Sequence, residues 1–299
     1  MTSISQLLER AAGLGSGRIA VAAAHDEDVL RAVCAAKCEN IAQPILVGHR
    51  DKITALLEKL GEAPAEFRII DADTDAACAQ QAVACVTRGE ANFLMKGLLG
   101  TADLMRAVLN RDANLRTGRL LSHVMLYEPQ GHKMMLNTDG GMNTFPTLEQ
   151  KADILENAAQ TLRALGYEKI YAACICGAEV VNPKIPSMLD AQALAGMTER
   201  WAPYNMEVYG PVGLDLAVSK EACRHKRYNV PGAGEADILL VPDYEVGNAM
   251  GKAMSIFGGA KNAGIIVGAK VPIVLVSRSD SAETKLASIA FGAVTAHHS

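Results

Sequence analysis

Short runs of β-branched and aliphatic residues alternate with amphipathic helical patterns along almost the whole chain. Residues 18–23 and 44–47 are two such runs, and a helical pattern follows each of them. A strand, a helix and a further strand in succession favour right-handed crossovers and a mostly parallel sheet. Only 4% of the residues are aromatic, and aliphatic strands suit parallel sheets that helices cover on both faces. The pattern therefore predicts an α/β fold.

The alternation changes character in the middle of the chain. Residues 119–127 and 133–136 are separated by a turn cluster and predict a hairpin, and a helix is predicted over residues 148–165. A chain of 299 residues is long enough for two domains of about 150 residues each. We therefore predict two α/β lobes with a boundary near residue 143. Periodicity alone does not assign the last strand and helix to either lobe.

Charge and cysteine content exclude several classes of protein. Lys plus Arg is 29 and Asp plus Glu is 33, which gives a net charge of −4 and excludes a generally basic nucleic-acid binder. The seven cysteines have no framework spacing, which argues against a secreted disulfide scaffold. The first residues lack the apolar core of a signal peptide, and no run of about 18 uncharged apolar residues occurs. We expect a cytoplasmic enzyme or binding protein without membrane or nucleic-acid partners.

Polar residues directly after apolar runs are the first candidates for a site, because ligands of open α/β sheets bind beyond the carboxyl ends of the strands. Ser277, Arg278 and Asp280 follow the apolar run at residues 271–276 and precede a predicted helix. Arginine binds phosphate through two hydrogen bonds, and the N–H groups at a helix start attract anions. The segment therefore predicts either an anion site or a helix cap.

Two other strand ends carry candidate side chains. Asp243 and Glu245 follow the run at residues 238–241, where acids serve either as a base and its orienting partner or as helix caps. Lys96 follows another apolar run, and Arg106 lies on the next predicted helix. A lysine at the end of a strand is well placed for a phosphate group. Arg106 is either a ligand or an exposed helix charge.

Signatures of several other enzyme classes are missing from the chain. No G-x-G-x-x-G opens a helix after a strand, and neither H-E-x-x-H nor G-x-S-x-G occurs. The chain also lacks a cluster of aspartates on one helix that would hold a divalent metal. We therefore expect neither a metal nor a nicotinamide cofactor.

An ordered set of short segments resembles the phosphate acetyl/butyryltransferase family, with most similarity to its butyryl branch. The segments span the chain from about His25 to the last predicted helix. They are Met95–Gly97, Leu115–Gly118, Leu121–His123, Glu179–Lys184, Pro186-Ser187, Leu189–Ala191, Gly210-Pro211 with Asp215, Glu245 with Gly247-Asn248, Lys261-Asn262 with Gly264 and Gly268, and Ser277-Arg278 with Asp280-Ser281.

The resemblance implies an acyltransferase that reversibly converts a short-chain acyl-CoA, butyryl-CoA or acetyl-CoA, and phosphate to acyl phosphate and CoA. It implies a fold similar to the isocitrate and isopropylmalate dehydrogenases, with an interlobe cleft that holds the site. The first lobe would comprise residues 1–143 and 270–299, and the second residues 144–269. The implied partners are acyl-CoA, phosphate and acyl phosphate, with coenzyme A as substrate rather than cofactor, and a homo-oligomer is expected.

The resemblance also implies roles for individual residues. Ser277 would hydrogen-bond the transition state and Arg278 would hold phosphate, in a site whose charge is stabilised by cations and helix-start N–H groups. The further residues expected to bind substrate are Lys96, Arg106, Arg116, Thr117, His123, Asn182, Lys184, Asp243, Glu245 and Asn248.

Two positions depart from the family pattern. In the acetyl branch a carboxylate lies about two helical turns beyond the serine, and that position is Thr284 here. The base is therefore open among Asp280, Glu283 and Asp243, and Asp280 is expected in the first turn of the last helix. Butyryl-type members often carry a large residue where Gly251 stands, so acyl-chain preference is left open. The alternatives are a metal- and NAD-dependent dehydrogenase of the same fold and a non-catalytic two-lobed binding protein.

Overall fold

The computed structural model describes residues 1–15, 17–277 and 280–298 of the chain. Within these ranges eleven β-strands form, which are β1 (Gly17–Ala22), β2 (Ala42–Gly48), β3 (Arg68–Asp71), β4 (Phe93–Lys96), β5 (Ser122–Glu128), β6 (Met135–Thr138), β7 (Ile170–Ile175), β8 (Met206–Val212), β9 (Ile238–Leu240), β10 (Lys261–Val267) and β11 (Ile273–Val274). The α-helices in the same ranges are α1 (Ile4–Leu14), α2 (Glu27–Cys38), α3 (Arg50–Lys59), α4 (Asp75–Thr87), α5 (Thr101–Val108), α6 (Leu148–Ala164), α7 (Pro186–Gly196), α8 (Thr198–Trp201), α9 (Leu214–Val218), α10 (Lys220–Lys226), α11 (Tyr244–Ile256) and α12 (Ala282–His297).

The chain divides into two compact units. The N-terminal unit comprises Ile4–Arg119 with Ala263–Ser299, and the middle unit comprises Leu120–Asn262 with Met1–Ser3. β11 and α12 therefore belong to the same unit as β1 to β4. The sequence placed the two boundaries at residues 143 and 270. The first differs because the hairpin of β5 and β6 belongs to the middle unit, where β6 pairs in parallel with β9.

The N-terminal unit contains a sheet with the strand order β3-β2-β1-β4-β11-β10. All neighbours are parallel except β10, which runs antiparallel to β11. Successive residues of a strand face opposite sides of the sheet, and all of Ile19, Ala20, Val21 and Ala22 in β1 are 0% exposed. Helices α4 and α12 both contact β1, so helices bury both faces of the sheet, as expected for parallel strands.

The middle unit contains strands in the order β5-β6-β9-β7-β8. β5 is antiparallel to β6, and the other neighbouring strands are parallel. Its core includes Ala173, Tyr209, Val212 and Leu239, which are all buried. The predicted mixed α/β class with mostly parallel strands is confirmed. None of the helices within the described ranges is both long enough and apolar enough to cross a membrane.

Local sequence explains where several helices begin. Asp26 precedes α2, and its carboxylate accepts a hydrogen bond from the N–H of Val29 at 2.9 Å. Thr147 and Gln150 form a reciprocal capping box at the start of α6. Such caps satisfy N–H groups that lack a partner within the helix. The predicted start of α6 at residue 148 is therefore the observed one.

Several elements have no counterpart in the sequence prediction, and glycine explains two of them. Strand β10 contains Gly264, which interrupts the apolar run by which a strand is recognised. In α11 only Gly247 and Gly251 are buried, and Met250 packs against the core of the middle unit while only partly buried. Its large apolar residues Ile256 and Phe257 at the carboxyl end are exposed. A helix that buries glycine does not show the usual apolar stripe.

Candidate active site

In the N-terminal unit, the order of the strands brings two predicted site residues to one edge of the sheet. β4 and β11 are parallel neighbours, and Val274 of β11 lies opposite Met95 of β4. Lys96 is the last residue of β4, and Ser277 follows β11 by three residues. Both residues therefore leave the sheet at its carboxyl edge, which is where open α/β sheets bind ligands.

Lys96 is a buried lysine, only 5% exposed, at this edge. Its ammonium donates hydrogen bonds to the main-chain oxygens of Gly97 at 3.2 Å and Leu99 at 3.3 Å. Gly97 has no room for a side chain, because a Cβ atom there would lie 2.2 Å from the carbonyl oxygen of Ala23. The Lys-Gly pair thus combines a fixed cation with close contact between two chain segments.

Ser277 is exposed and begins a closed turn with Asp280. The N–H of Ser277 donates to Oδ2 of Asp280 at 2.7 Å, and the N–H of Asp280 donates to the carbonyl of Ser277 at 3.2 Å. The Asp280 carboxylate is therefore engaged in orienting the serine backbone. Arg278, the predicted phosphate ligand, lies outside the described residues.

Helix α12 begins directly after this turn. Ser281 is its N-cap and accepts a hydrogen bond from the N–H of Thr284 at 3.2 Å. The expectation that Asp280 lies in the first helical turn is wrong, because the serine cap places Asp280 one residue before the cap. Glu283 does lie in the first turn and is exposed. Of the two acids in this segment, Glu283 is the one open to solvent.

Arg116 and Thr117 lie in a loop that is tied to the chain after β10. Thr117 donates a hydrogen bond through its hydroxyl to the carbonyl of Gly268, and Arg116 forms an isolated β-bridge with Ala269. Both residues are exposed. Through its hydroxyl, the threonine attaches one loop of the N-terminal unit to another.

Arg106 differs from the buried Lys96 because its side chain extends from the surface of a helix. Its side chain is 73% exposed and pairs with Asp103 at 2.8 Å. It lines a groove of about 360 Å³ between α4 and α5, together with Arg88 and Gln80. An exposed side chain that lines a groove is compatible with both interpretations drawn from the sequence, a substrate ligand and an exposed helix charge.

In the middle unit, a buried acid organises the loop after β6. Asp139 is 2% exposed, and its carboxylate accepts hydrogen bonds from the N–H groups of His123 at 3.1 Å, Gly141 at 2.8 Å and Met142 at 2.8 Å. It also accepts one from the Asn143 side chain at 2.7 Å. None of the site residues expected from the sequence lies in this loop. The Asp-Gly-Gly order was the available signal, because an aspartate before glycines often bonds the backbone that follows.

His123 and Asn248, two predicted binding residues, both lie against this loop. A Cβ atom on Gly141 would lie 2.4 Å from Nδ1 of His123, so only glycine allows the imidazole ring its position. Asn248 donates from Nδ2 to the carbonyl of Gly140 at 3.3 Å. The structure therefore brings these two side chains to a common loop of the middle unit.

The two acids at the start of α11 have different surroundings. Asp243 is the N-cap and accepts a hydrogen bond from the N–H of Val246 at 3.0 Å. Glu245 is exposed in the first turn. Asp243 therefore performs the capping role that was one of its two interpretations.

Asn182 and Lys184 lie in an exposed loop between β7 and α7. The Asn182 side chain accepts a hydrogen bond from the N–H of Lys184 at 3.0 Å, which shapes a local turn. The contacts of this turn lie within the loop and with α7, where the N–H of Asn182 donates to Sδ of Met188 at 3.4 Å. They do not join it to the loop that carries Asp139.

A sequence model of the family described as Phosphate acetyl/butaryl transferase matches residues 77–293 of the chain. The chain belongs to this family. The match covers the buried Lys96, the loop around Asp139 and the Ser277 turn. The chain is therefore a phosphate acyltransferase, and neither alternative, the dehydrogenase or the binding protein, is favoured.

Relatives and solved structures support this membership over nearly the full length. The chain is 41% identical to phosphate butyryltransferase of Clostridium acetobutylicum, with 98% of each chain covered. It is also 41% identical to phosphate acetyltransferase of Thermotoga maritima, with 98% of this chain and 99% of the relative covered. The crystal structure of a branched-chain phosphotransacylase from Enterococcus faecalis V583 is similar, with 35% identity, a TM-score of 0.85 and coverage of 95% and 100%.

A more distant likeness concerns the fold alone. The 4-hydroxythreonine-4-phosphate dehydrogenase of Burkholderia phymatum is 13% identical, with a TM-score of 0.57 and coverage of 94% of this chain and 98% of that one. The expected similarity to a dehydrogenase-like fold is thus confirmed at the level of architecture.

In this acyltransferase, the Tyr127 hydroxyl occupies the space into which a side chain at position 251 would extend. A Cβ atom at Gly251 would lie 2.3 Å from the hydroxyl oxygen of Tyr127 on β5, and 3.5 Å from Nδ2 of Asn137. Tyr127 is 4% exposed. A side chain at position 251 would therefore meet the tyrosine, which already fills the volume that a larger residue would take.

The cysteines of the acyltransferase are poor nucleophiles where they are buried. Five of the seven are buried. Burial raises the pKa of Cys34 to about 11, and it also raises the pKa of Cys78 and Cys174. Since the thiolate is the reactive form, these side chains behave as small apolar groups. In the part of the chain that the structure describes, no three His, Cys, Asp or Glu side chains are grouped to hold a metal ion.

Proposed function

We propose that this phosphate acyltransferase transfers a short acyl group between coenzyme A and inorganic phosphate at the carboxyl edge of β4 and β11. One observation carries the proposal: neighbouring parallel strands bring the buried Lys96 and the exposed Ser277 to the same edge. Helix α12 begins just beyond Ser277, so its first N–H groups add partial positive charge. A cation, a hydroxyl and a helix start together suit a phosphate nucleophile and an oxyanion.

The proposed reaction needs few protein groups. An oxygen of hydrogen phosphate attacks the thioester carbon and a tetrahedral oxyanion forms. The carbonyl then re-forms as the carbon–sulfur bond breaks, and the CoA thiolate takes up the proton that hydrogen phosphate loses. The Ser277 hydroxyl donates a hydrogen bond to the oxyanion, and fixed donors of this kind stabilise charge without reorganisation. Lys96 and Arg278 hold the phosphate, the arginine through two parallel hydrogen bonds. Holding both substrates in line supplies much of the acceleration.

The acids near Ser277 take separate roles in this proposal. Asp280 orients the serine, because its carboxylate already accepts the Ser277 N–H at 2.7 Å. Glu283 is exposed in the first turn of α12 and is our candidate for exchanging the proton with the CoA thiol. Asp243 caps α11. These contacts favour Glu283 as the base among the three acids that the sequence left open.

The remaining substrate-binding assignments are also proposals. His123 and Asn248, held against the Asp139 loop, are suited to bind the CoA or acyl part of the substrate. The other residues proposed to contact substrate are Arg106, Arg116, Thr117, Asn182, Lys184 and Glu245. We further propose that the enzyme is a cytoplasmic homo-oligomer and needs no metal or nicotinamide.

The test is the release of CoA thiol from acyl-CoA, measured with a thiol reagent in the presence and absence of phosphate. A series from acetyl-CoA to butyryl-CoA and longer chains defines the acyl preference. We expect release only with phosphate, and the same rate after prolonged chelation. Release that needs magnesium and a nicotinamide, or no release with any acyl-CoA, would contradict the proposal.

A further inference from the structure

Helix α12 carries a lysine inside the N-terminal unit. Lys285 is 2% exposed, and its ammonium donates a hydrogen bond to the main-chain carbonyl of Asp280. Within the described residues this ammonium bonds that carbonyl and no carboxylate. Burying a charge costs free energy unless the charged group is well hydrogen-bonded. The lysine at this position is therefore explained by the group that it bonds.

The carbonyl that Lys285 holds belongs to the turn that begins with Ser277. Asp280 accepts the Lys285 ammonium at its main-chain oxygen and the Ser277 N–H at its carboxylate. The three residues therefore form a continuous series of hydrogen bonds from the helix to the serine. Side chains of a helix lean toward its amino end, which lets Lys285 reach back to the residue before the cap.

The helix itself does not need this ammonium. Ser281 caps α12 through the N–H of Thr284 at 3.2 Å. Ser288 attaches the same helix to β10, since its Oγ accepts the N–H of Gly264 at 3.0 Å. Ile289 and Phe291 are 0% exposed and supply apolar packing. An apolar side chain of similar length would serve the core at position 285 equally well.

We propose that Lys285 is a positioning residue of the acyl transfer reaction: through Asp280 it fixes the backbone of Ser277, and its charge adds to the positive end of α12 where phosphate binds. The inference rests on the proposed function, because Ser277 is the group whose position matters. Misplacing a reacting group by about 1 Å costs roughly 100-fold in rate. Binding of the CoA substrate depends on other residues and is left almost unchanged.

The experiment compares K285M, K285Q and K285R with S288A as a matched control. S288A removes buried hydrogen bonds from the same helix but does not touch the Ser277 turn. For each variant, kcat and KM are measured in phosphate-dependent thiol release, and amide hydrogen exchange is followed in peptides that cover residues 275–284. We expect K285M to lower kcat roughly 100-fold, with KM for acyl-CoA nearly unchanged and faster exchange in that segment.

K285R keeps the donor and the charge, so it should retain a large part of the wild-type kcat. K285Q should show the same defects as K285M in a weaker form. It replaces K285M in the comparison if K285M does not fold. S288A should retain nearly the wild-type kcat. Wild-type kcat and exchange in K285M, or equal losses in K285M and S288A, would overturn the inference. If the wild-type enzyme releases no thiol with phosphate, the proposed function fails, and the exchange data alone decide whether Lys285 holds the turn.

Discussion

The Ser277 turn of the N-terminal unit and the Asp139 loop of the middle unit both follow parallel strands, but their charges are arranged in opposite ways. Around the Ser277 turn, Lys96 and Lys285 are buried cations that donate to main-chain carbonyls. In the other loop, a buried carboxylate accepts four hydrogen bonds from its own neighbours.

This difference distinguishes a site that attracts a ligand from a loop whose buried charge stabilises the fold. The main-chain carbonyl that Lys285 bonds only partly neutralises this buried ammonium, so the Ser277 end of the sheet favours an incoming anion. The Asp139 carboxylate is satisfied by the protein itself and has little left to offer a ligand. We expect substitutions in the first region to change catalysis and those in the second to change stability.

The largest effect is expected from S277A. Loss of a single hydrogen-bond donor to an oxyanion typically costs about 100- to 1,000-fold in kcat. Because Ser277 is exposed, its free energy of unfolding should change by no more than about 0.5 kcal/mol. Thiol-release kinetics and urea unfolding measure the two quantities. A stable variant with wild-type kcat would remove Ser277 from the reaction.

A large loss of stability is expected from D139A. The substitution leaves three N–H groups, one of them buried and two partly buried, and one amide without their acceptor, so unfolding should become easier by about 3 kcal/mol or more. D243A is the matched control in the same unit, since it removes only a helix cap worth about 1 kcal/mol. Urea unfolding compares them. Equal losses of unfolding free energy in the two variants would mean that the Asp139 carboxylate does not stabilise its loop in this way.

The smallest of these effects is expected from G251A. The new methyl group meets the Tyr127 hydroxyl, and overpacking of this kind costs about 1–3 kcal/mol. Y127F removes the oxygen that would be contacted, so the double variant should lose less stability than the two single variants together. Thermal unfolding of the three variants gives the coupling. Simple additivity would show that the tyrosine does not occupy this space.

Much of the architecture could be predicted from local patterns. Strands β1 and β2 and the starts of α2 and α6 follow from apolar runs and capping residues, which act within a few positions along the chain. The strand ends also marked Lys96 and Ser277 as candidates. Asp139 was missed because its importance comes from four bonds that become visible only once the loop is folded. Strand β10 and helix α11 were missed because glycine hides their apolar pattern.

By itself, the sequence determined the α/β class, the order of most elements and the family, since periodicity and motif spacing are properties of neighbouring residues. Only the tertiary structure decided that β11 lies beside β4, which brings Ser277 to the same edge as Lys96 from almost the opposite end of the chain. It also decided that Tyr127 fills the space at Gly251 and that Lys285 turns inward to Asp280. Pairing between distant strands depends on burying both faces of a sheet at once, and no local pattern contains that information.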